Sequence, residues 1–235
     1  MNDREVTRQN ALSDADLVAD CRRRINQARL DLADLQADGV TAADLDTFEA
    51  DTTAFEKMPS DDALEYERVR LRESRDTALE AGRQALRDVL NPVRRAYGDT
   101  SPQLKRFGAS RLADAPPADV LGWLADAQET GRPYLTDEKT SKEGFSQARL
   151  DALAPAHQAL RLAQKDFLDA DQRRQEGTRA RTLAYNALDT RCAQLCARGN
   201  DHYQARNATK ARAYVRDPAP TTSGPAAGPA APQAE

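Results

Sequence analysis

The chain of 235 residues is poor in cysteine, in aromatic residues and in long apolar runs, and each shortage excludes a class of protein. Three cysteines cannot all pair with one another, so reduced thiols are expected rather than a disulfide framework. Aromatic residues make up only 5%, which disfavours an all-β fold. Because no stretch of 18 or more apolar residues occurs, we expect no membrane insertion.

The charge balance and the first residues argue against two further classes. The formal net charge is −4, so nothing pulls the whole chain toward nucleic acid or an anionic membrane. Residues 1–5 carry charges of both signs and are not followed by the apolar stretch of a secretory signal. We therefore expect a cytoplasmic protein.

The residues that are abundant favour helix. Alanine, leucine, glutamate, glutamine and the 28 arginines lose little side-chain freedom in a helix. The composition predicts an all-α fold with an antiparallel, four-helix-bundle-like core and extra helices over residues 1–216. Residues 217–235 are mostly Pro, Ala and Gly, which predicts a disordered tail.

Capping residues and apolar spacing place the helices of the first half. Ser13 is a predicted N-cap, and apolar residues then recur at spacings of three and four as far as Gly39. Thr41 and Asp44 form a predicted capping box for a second helix. A third helix is expected from Ser60 or Asp61 to Tyr97, which Pro92 should kink or split.

Residues 99–132 form a predicted connector of two short helices, the first between Ser101 and Gly108. Trp123 is expected to anchor the connector. The second half should begin a helix near Ser146, with Pro155 marking either its true start or a kink. A break or weak point is expected at Gly177, and the next helix should end at Gly199, followed by a shorter helix within 201–215.

A faint internal repeat relates the two halves. Gly39-Val40-Thr41, followed by Leu45 and Phe48, resembles Gly144-Phe145-Ser146, followed by Leu150 and Leu153. Duplication of a helix pair would give pseudo-repeats over 12–98 and 133–215, joined by connector 99–132. The alternative is chance similarity in a chain rich in Ala, Leu and Arg.

The same segments resemble a family of uncharacterised bacterial all-helical bundle proteins with a repeated helix pair. The resemblance rests on the Gly39-Val40-Thr41 segment and, in the second half, on the run from Gly144 with Asn186-Ala187-Leu188, Cys192, Gly199-Asn200-Asp201 and Tyr214-Val215. It implies an all-helical fold and brings no known activity or site residue.

A metal site is the first candidate for chemistry. Cys192 and Cys196 share a helix face, His202 follows, and Cys21 is a distant fourth ligand for zinc. The alternative, which we favour, is that the cysteines are small core residues, because Cys192 and Cys21 both fall on apolar stripes. The prediction is therefore no metal.

Other constellations are absent from the sequence. His157 lies on an apolar stripe, a position more typical of a core or boundary residue than of a catalyst. No Ser/His/Asp set, no Glu-x-x-His pair and no phosphate-binding glycine loop occurs. Lys105 and Arg106 give only a weak candidate anion site. The sequence predicts no enzyme and no cofactor.

Charge is distributed unevenly along the chain. Residues 1–62 carry 15 acidic and 7 basic side chains, whereas residues 172–216 carry 10 basic and 3 acidic ones. The candidate contacts for nucleic acid or an anionic surface are Arg206, Lys210, Arg212 and Arg216. The alternative, which we favour, is that the acidic and basic helices lie side by side and complement each other.

The sequence thus predicts a non-enzymatic structural or protein-interaction protein. A protein partner or self-association is expected, and the candidate oligomer seam is Val18, Cys21, Ile25, Leu32 and Leu35. Because this seam is under three heptads long, it could instead be bundle core. The alternative function is nucleic-acid binding through the basic C-terminal helix.

Overall fold

The computed structural model describes residues 7–109 and 111–216, and within them every regular element is helical, which confirms the all-α fold. The α-helices are α1 (Asp14–Leu30), α2 (Leu32–Leu35), α3 (Ala42–Glu56), α4 (Asp61–Tyr97), α5 (Pro102–Lys105), α6 (Pro117–Gly131), α7 (Glu138–Lys142), α8 (Gln147–Asp151), α9 (Leu153–Gln204) and α10 (Ala208–Arg212). Short 3-10 helices cover Gln36–Asp38 and Arg132–Leu135. The predicted disordered tail, residues 217–235, lies outside the described residues.

The chain divides into two compact units. Unit 1 combines the residues up to Pro59 with those from Gly177 onward, and unit 2 is Ser60–Glu176. Helix α9 contributes residues to both units. Each predicted pseudo-repeat also contributes to both, so the units do not coincide with the repeats, and the duplication stays a prediction.

The predicted caps of unit 1 are confirmed. The Ser13 hydroxyl accepts the Asp16 N–H, and Thr41 and Asp44 form the reciprocal capping box. Gly39 ends the helical run with φ 76°, in the left-handed region that favours glycine. The first helix is shorter than its apolar spacing predicts, because it ends at Leu30 and α2 continues the stripe to Leu35.

Helix α4 confirms the predicted limits in unit 2, and of the two outcomes expected at Pro92, a kink or a split, it excludes the split. It begins after the Ser60 cap, ends before Gly98, and runs without interruption through Pro92. Leu90 and Val93 are buried in the core of unit 2, so tertiary packing holds the helix on both sides of the proline. The lost backbone hydrogen bond is tolerated there.

The connector of unit 2 follows the prediction. Ser101 caps α5. Gly108, with φ 65° in the left-handed region, follows the end of that helix, and α6 comes next. Trp123 packs against the core of unit 2. Pro155 lies in the first turn of α9, where its missing N–H has no intrahelical partner to lose.

Helix α9 is continuous from Leu153 to Gln204, so no break occurs at Gly177 and the helix end predicted at Gly199 is wrong. The turns around Gly177 are held by ion pairs within their own units, Arg174 with Glu65 and Arg181 with Asp14. Gly199 is a packing position. A Cβ built there would lie 2.3 Å from the Tyr214 ring, so only glycine allows the ring to approach.

Candidate functional site

The C-terminal segment, residues 202–216, folds back onto α1 and α2 within unit 1. Lys210 Nζ lies 2.6 Å from Asp31 Oδ1 and 3.1 Å from Asp34 Oδ2. The Tyr214 hydroxyl donates to Asp31 at 3.0 Å, and the Tyr203 hydroxyl donates to Asp34 at 2.7 Å. Two carboxylates therefore hold one lysine and two tyrosines of the C-terminal segment.

A second set of contacts holds the end of the same segment. Arg216 pairs with Asp20 at 3.2 Å and with Asp189 at 2.7 Å. The buried Arg24 donates to the backbone carbonyls of Ala213 and Val215 and pairs with Asp20. These contacts join the end of the C-terminal segment to α1 and to Asp189 of α9.

The four candidate nucleic-acid contacts differ in whether an acidic side chain already pairs with them. Lys210 and Arg216 are engaged by carboxylates, and Arg206 donates to the His202 ring, whose Nδ1 contacts Asp38. Arg212 is exposed and has no acidic partner within residues 7–109 and 111–216. This arrangement is the charge complementarity between acidic and basic helices, and nucleic-acid binding stays an untested prediction.

The ionisation of this network follows from its contacts. Burial alone would raise the pKa of Asp31, but hydrogen bonds from Lys210, Gln27 and Tyr214 bring it below its usual value. Burial and the hydrogen bond to Asp34 raise the pKa of Tyr203 to about 12. Burial and the hydrogen bond to Asp31 likewise raise the pKa of Tyr214.

These shifts predict a stability plateau for unit 1. Because the folded-state pKa of Asp31 is depressed, its contribution is present above the unfolded pKa, near 4, and is lost as pH falls below it. Because the pKa of Tyr203 is raised, its contribution is lost as pH rises from about 10 through 12. Urea unfolding midpoints of unit 1 across pH should be flat between these limits. A maximum inside the plateau, or rising stability in acid, would contradict the network.

The candidate oligomer seam lies inside unit 1. Val18, Cys21, Ile25 and Leu35 are buried in its core, and Leu32 is half-buried against that core. Their neighbours across the core include Phe48 and Tyr185. A second copy could reach these side chains only after they left their own core.

The three cysteines also lie together in this core. Cys21, Cys192 and Cys196 are all buried in this cluster, and Cys192 Sγ donates to Asp20 Oδ2 at 3.5 Å. His202 contacts Asp38 and Arg206 instead of a thiol. Within residues 7–109 and 111–216, no group of three or more His, Cys, Asp or Glu side chains is arranged to hold a metal ion.

These thiols should be unreactive while unit 1 is folded. The contact with Cys196 lowers the pKa of Cys192, but the contact with Cys21 and burial outweigh it, so the net pKa is raised. The contact with Cys192 and burial raise the pKa of Cys196. Since the thiolate is the nucleophile, we expect Ellman's reagent to label the native protein very slowly and the unfolded protein at once. Rapid labelling of the folded chain would contradict this packing.

Unit 2 contains an extended pair of helices, residues 61–78 of α4 and 161–176 of α9, called here the helix pair. The two segments run antiparallel, since Glu65 contacts Arg174 at 2.6 Å whereas Arg75 lies over the Phe167 ring. Further ion pairs along it join Arg68 to Asp171 and Arg173 to Glu67.

The helix pair buries few of its apolar side chains and exposes several large ones. Ala170 is its only buried residue, and Leu64, Leu71 and Phe167 are only half-buried. Among the exposed large apolar side chains of the described chain, four of seven belong to the helix pair: Tyr66, Val69, Leu162 and Leu168. The sequence signal was the sparse stripe of Leu64 and Leu71, seven residues apart, which we did not connect with an interaction surface.

His157 is half-buried in unit 2, as its position on an apolar stripe indicated. No described helix is both long enough and apolar enough to cross a membrane. Comparison with known proteins found no matching family model, no similar curated protein and no similar solved structure. The resemblance to bacterial helical-bundle proteins therefore stays a prediction.

Proposed function

We propose that this chain is a non-enzymatic protein that acts through protein–protein association, and that the helix pair of unit 2 is its association surface. The partner we propose is a second copy of the chain, whose helix pair packs against the first to complete a four-helix arrangement. The observation that carries the proposal is the excess of exposed over buried large apolar side chains in the helix pair.

The physical reason is that two helices alone bury too little surface to be stable. Most helical stability in proteins comes from packing an apolar face, not from helix propensity. In the helix pair, ion pairs such as Glu65–Arg174 lie at the surface, where each contributes little. Covering Tyr66, which is 74% exposed, and Leu168, which is 54% exposed, would supply the missing apolar burial.

Charge favours a second copy as the occupant. Residues 61–67 carry four acidic side chains and no basic one, whereas residues 68–75 carry four arginines and one glutamate. Two copies of this stretch packed antiparallel would place the acidic part of each beside the basic part of the other, in addition to the ion pairs that Glu65, Glu67 and Arg68 already form within the helix pair. Such complementarity selects partner and orientation more than it adds affinity.

Paired substitutions test the surface. Replacing Tyr66 and Leu168 together by serine should weaken the dimer at least about tenfold, because apolar anchors dominate interface energy. The control is Leu183→Ser in unit 1, where a leucine exposed to a similar degree as Leu168 (51% against 54%) is replaced outside the helix pair. Sedimentation velocity measures the dimer and circular dichroism confirms folding. A dimer that persists in the double variant, or is lost equally in the control, would overturn the proposal.

Nucleic-acid binding through the C-terminal segment has less support. Lys210 and Arg216 would have to leave Asp31 and Asp20 to reach phosphate groups. Absorbance at 260 and 280 nm in the same runs reports bound nucleic acid. Nucleic acid that is removed by high salt, together with a monomeric protein, would favour this alternative.

A further inference from the structure

We propose that the connector of unit 2 forms a binding site for a small phosphate ester with an apolar body. A groove of about 380 Å³ lies between the end of α4 and the chain that follows α5. Leu90, Leu104 and Ala109 supply apolar walls, and the charged side chains that line it are Arg94, Asp99, Lys105 and Arg111. The volume of the groove falls within the range of small-molecule sites.

The charge of the groove favours an anion. Three of its four charged side chains are basic. The single acidic one, Asp99, forms an ion pair with Arg94 at 2.9 Å. Lys105 and Arg111 have no acidic partner within the described part of the chain, and both side chains are exposed. Two cations beside an apolar wall suit a doubly charged group such as a phosphate monoester better than a single carboxylate.

The backbone at Arg111 supports the same conclusion. Arg111 has φ 57° and is the one residue other than glycine with positive φ in the described chain. An arginine in this conformation is strained, and strain of this kind clusters at ligand-binding sites. In this groove the strained residue is Arg111, one of the two basic residues without an acidic partner in the described part of the chain.

A groove of similar size in unit 1 lacks this character. It is about 350 Å³ and contains Arg191 and Arg198. Arg191 already pairs with Asp51 at 2.5 Å, and the Asp44 carboxylate lines the same groove. Its charges are therefore balanced by the protein's own carboxylates, whereas those of the connector groove are not.

The experiment titrates the full chain with phenyl phosphate, inorganic phosphate and phenol by calorimetry. Phenyl phosphate should bind at least about tenfold more tightly than inorganic phosphate, since its ring is covered by the apolar walls. Phenol should not bind measurably. Lys105→Gln should weaken phenyl phosphate binding about tenfold or more. The neighbouring Arg106→Gln removes the same charge from a residue that does not line the groove, and should leave binding unchanged.

Arg111→Gly tests the groove in a variant that we expect to fold normally. Glycine adopts φ 57° without strain, so binding should fall while the Trp123 fluorescence of unit 2 stays native. Absence of saturable phenyl phosphate binding would overturn the proposal. Equal losses in Lys105→Gln and Arg106→Gln would also overturn it, and so would binding of a single-stranded oligonucleotide alone with steep salt dependence.

Discussion

Replacing Gly199 by alanine is expected to destabilise unit 1 by about 2–3 kcal/mol, although alanine is the better helix former. The new Cβ would lie 2.3–2.6 Å from three carbons of the Tyr214 ring. That ring is buried and its hydroxyl donates to Asp31, so it cannot move without breaking the contacts of the C-terminal segment. The expected strain outweighs the gain in helix propensity.

Two probes separate this effect from any change in unit 2. All three cysteines lie in unit 1 and the only tryptophan, Trp123, lies in unit 2. In Gly199→Ala, thiol labelling should become rapid at lower denaturant, whereas the Trp123 transition serves as the internal reference. The control is Gly122→Ala in α6, where the added Cβ meets nothing within 4 Å and should stabilise unit 2 by up to about 1 kcal/mol. Stabilisation by both substitutions would show that Tyr214 does not pack on Gly199.

Replacing Asp31 by alanine is expected to destabilise unit 1 by about 2 kcal/mol. Its side chain is only 3% exposed and serves both Lys210 and Tyr214. Without it, the buried Tyr214 hydroxyl loses its acceptor and Lys210 loses the nearer of its two carboxylates. Leaving a buried polar group unsatisfied costs more than an average hydrogen bond contributes.

The comparison for Asp31→Ala is Asp46→Ala in the same unit. Asp46 pairs with Arg29, but its side chain is 71% exposed, so its removal should change stability by under about 0.5 kcal/mol. Thiol labelling in denaturant measures both variants. In Asp31→Ala the loss of stability in acid should also shrink, because one depressed pKa is gone. Equal effects of the two substitutions would contradict the role given to Asp31.

Local signals in the sequence predicted the start of most helices, whereas tertiary packing decided where they continue. Ser13, Thr41 and Ser60 cap helices through contacts within three residues, which sequence spacing reveals. Pro92 and Gly199 weaken a helix locally, but Leu90 and Val93 beside Pro92 are buried in the core of unit 2, and Tyr214 packs on Gly199. Helix-breaking propensity alone therefore predicted breaks that the fold overrides.

For the candidate sites too, the sequence revealed some features, whereas others depend on tertiary structure. The unequal charge of residues 1–62 and 172–216 indicated complementary helices, and Asp31 with Lys210 shows one such pair. Sequence spacing could not tell a core seam from an oligomer seam, because Val18 and Ile25 have the same pattern in both. Nor could it place Lys105 and Arg111 in the lining of one groove, since the chain there adopts left-handed backbone at Gly108 and Arg111.

The most direct test of the proposed function is the molar mass of the purified chain by light scattering over a concentration series. Association through the helix pair predicts a mass of twice the 25.8 kDa chain, with dissociation on dilution. A mass of 25.8 kDa at every concentration would contradict self-association through the helix pair.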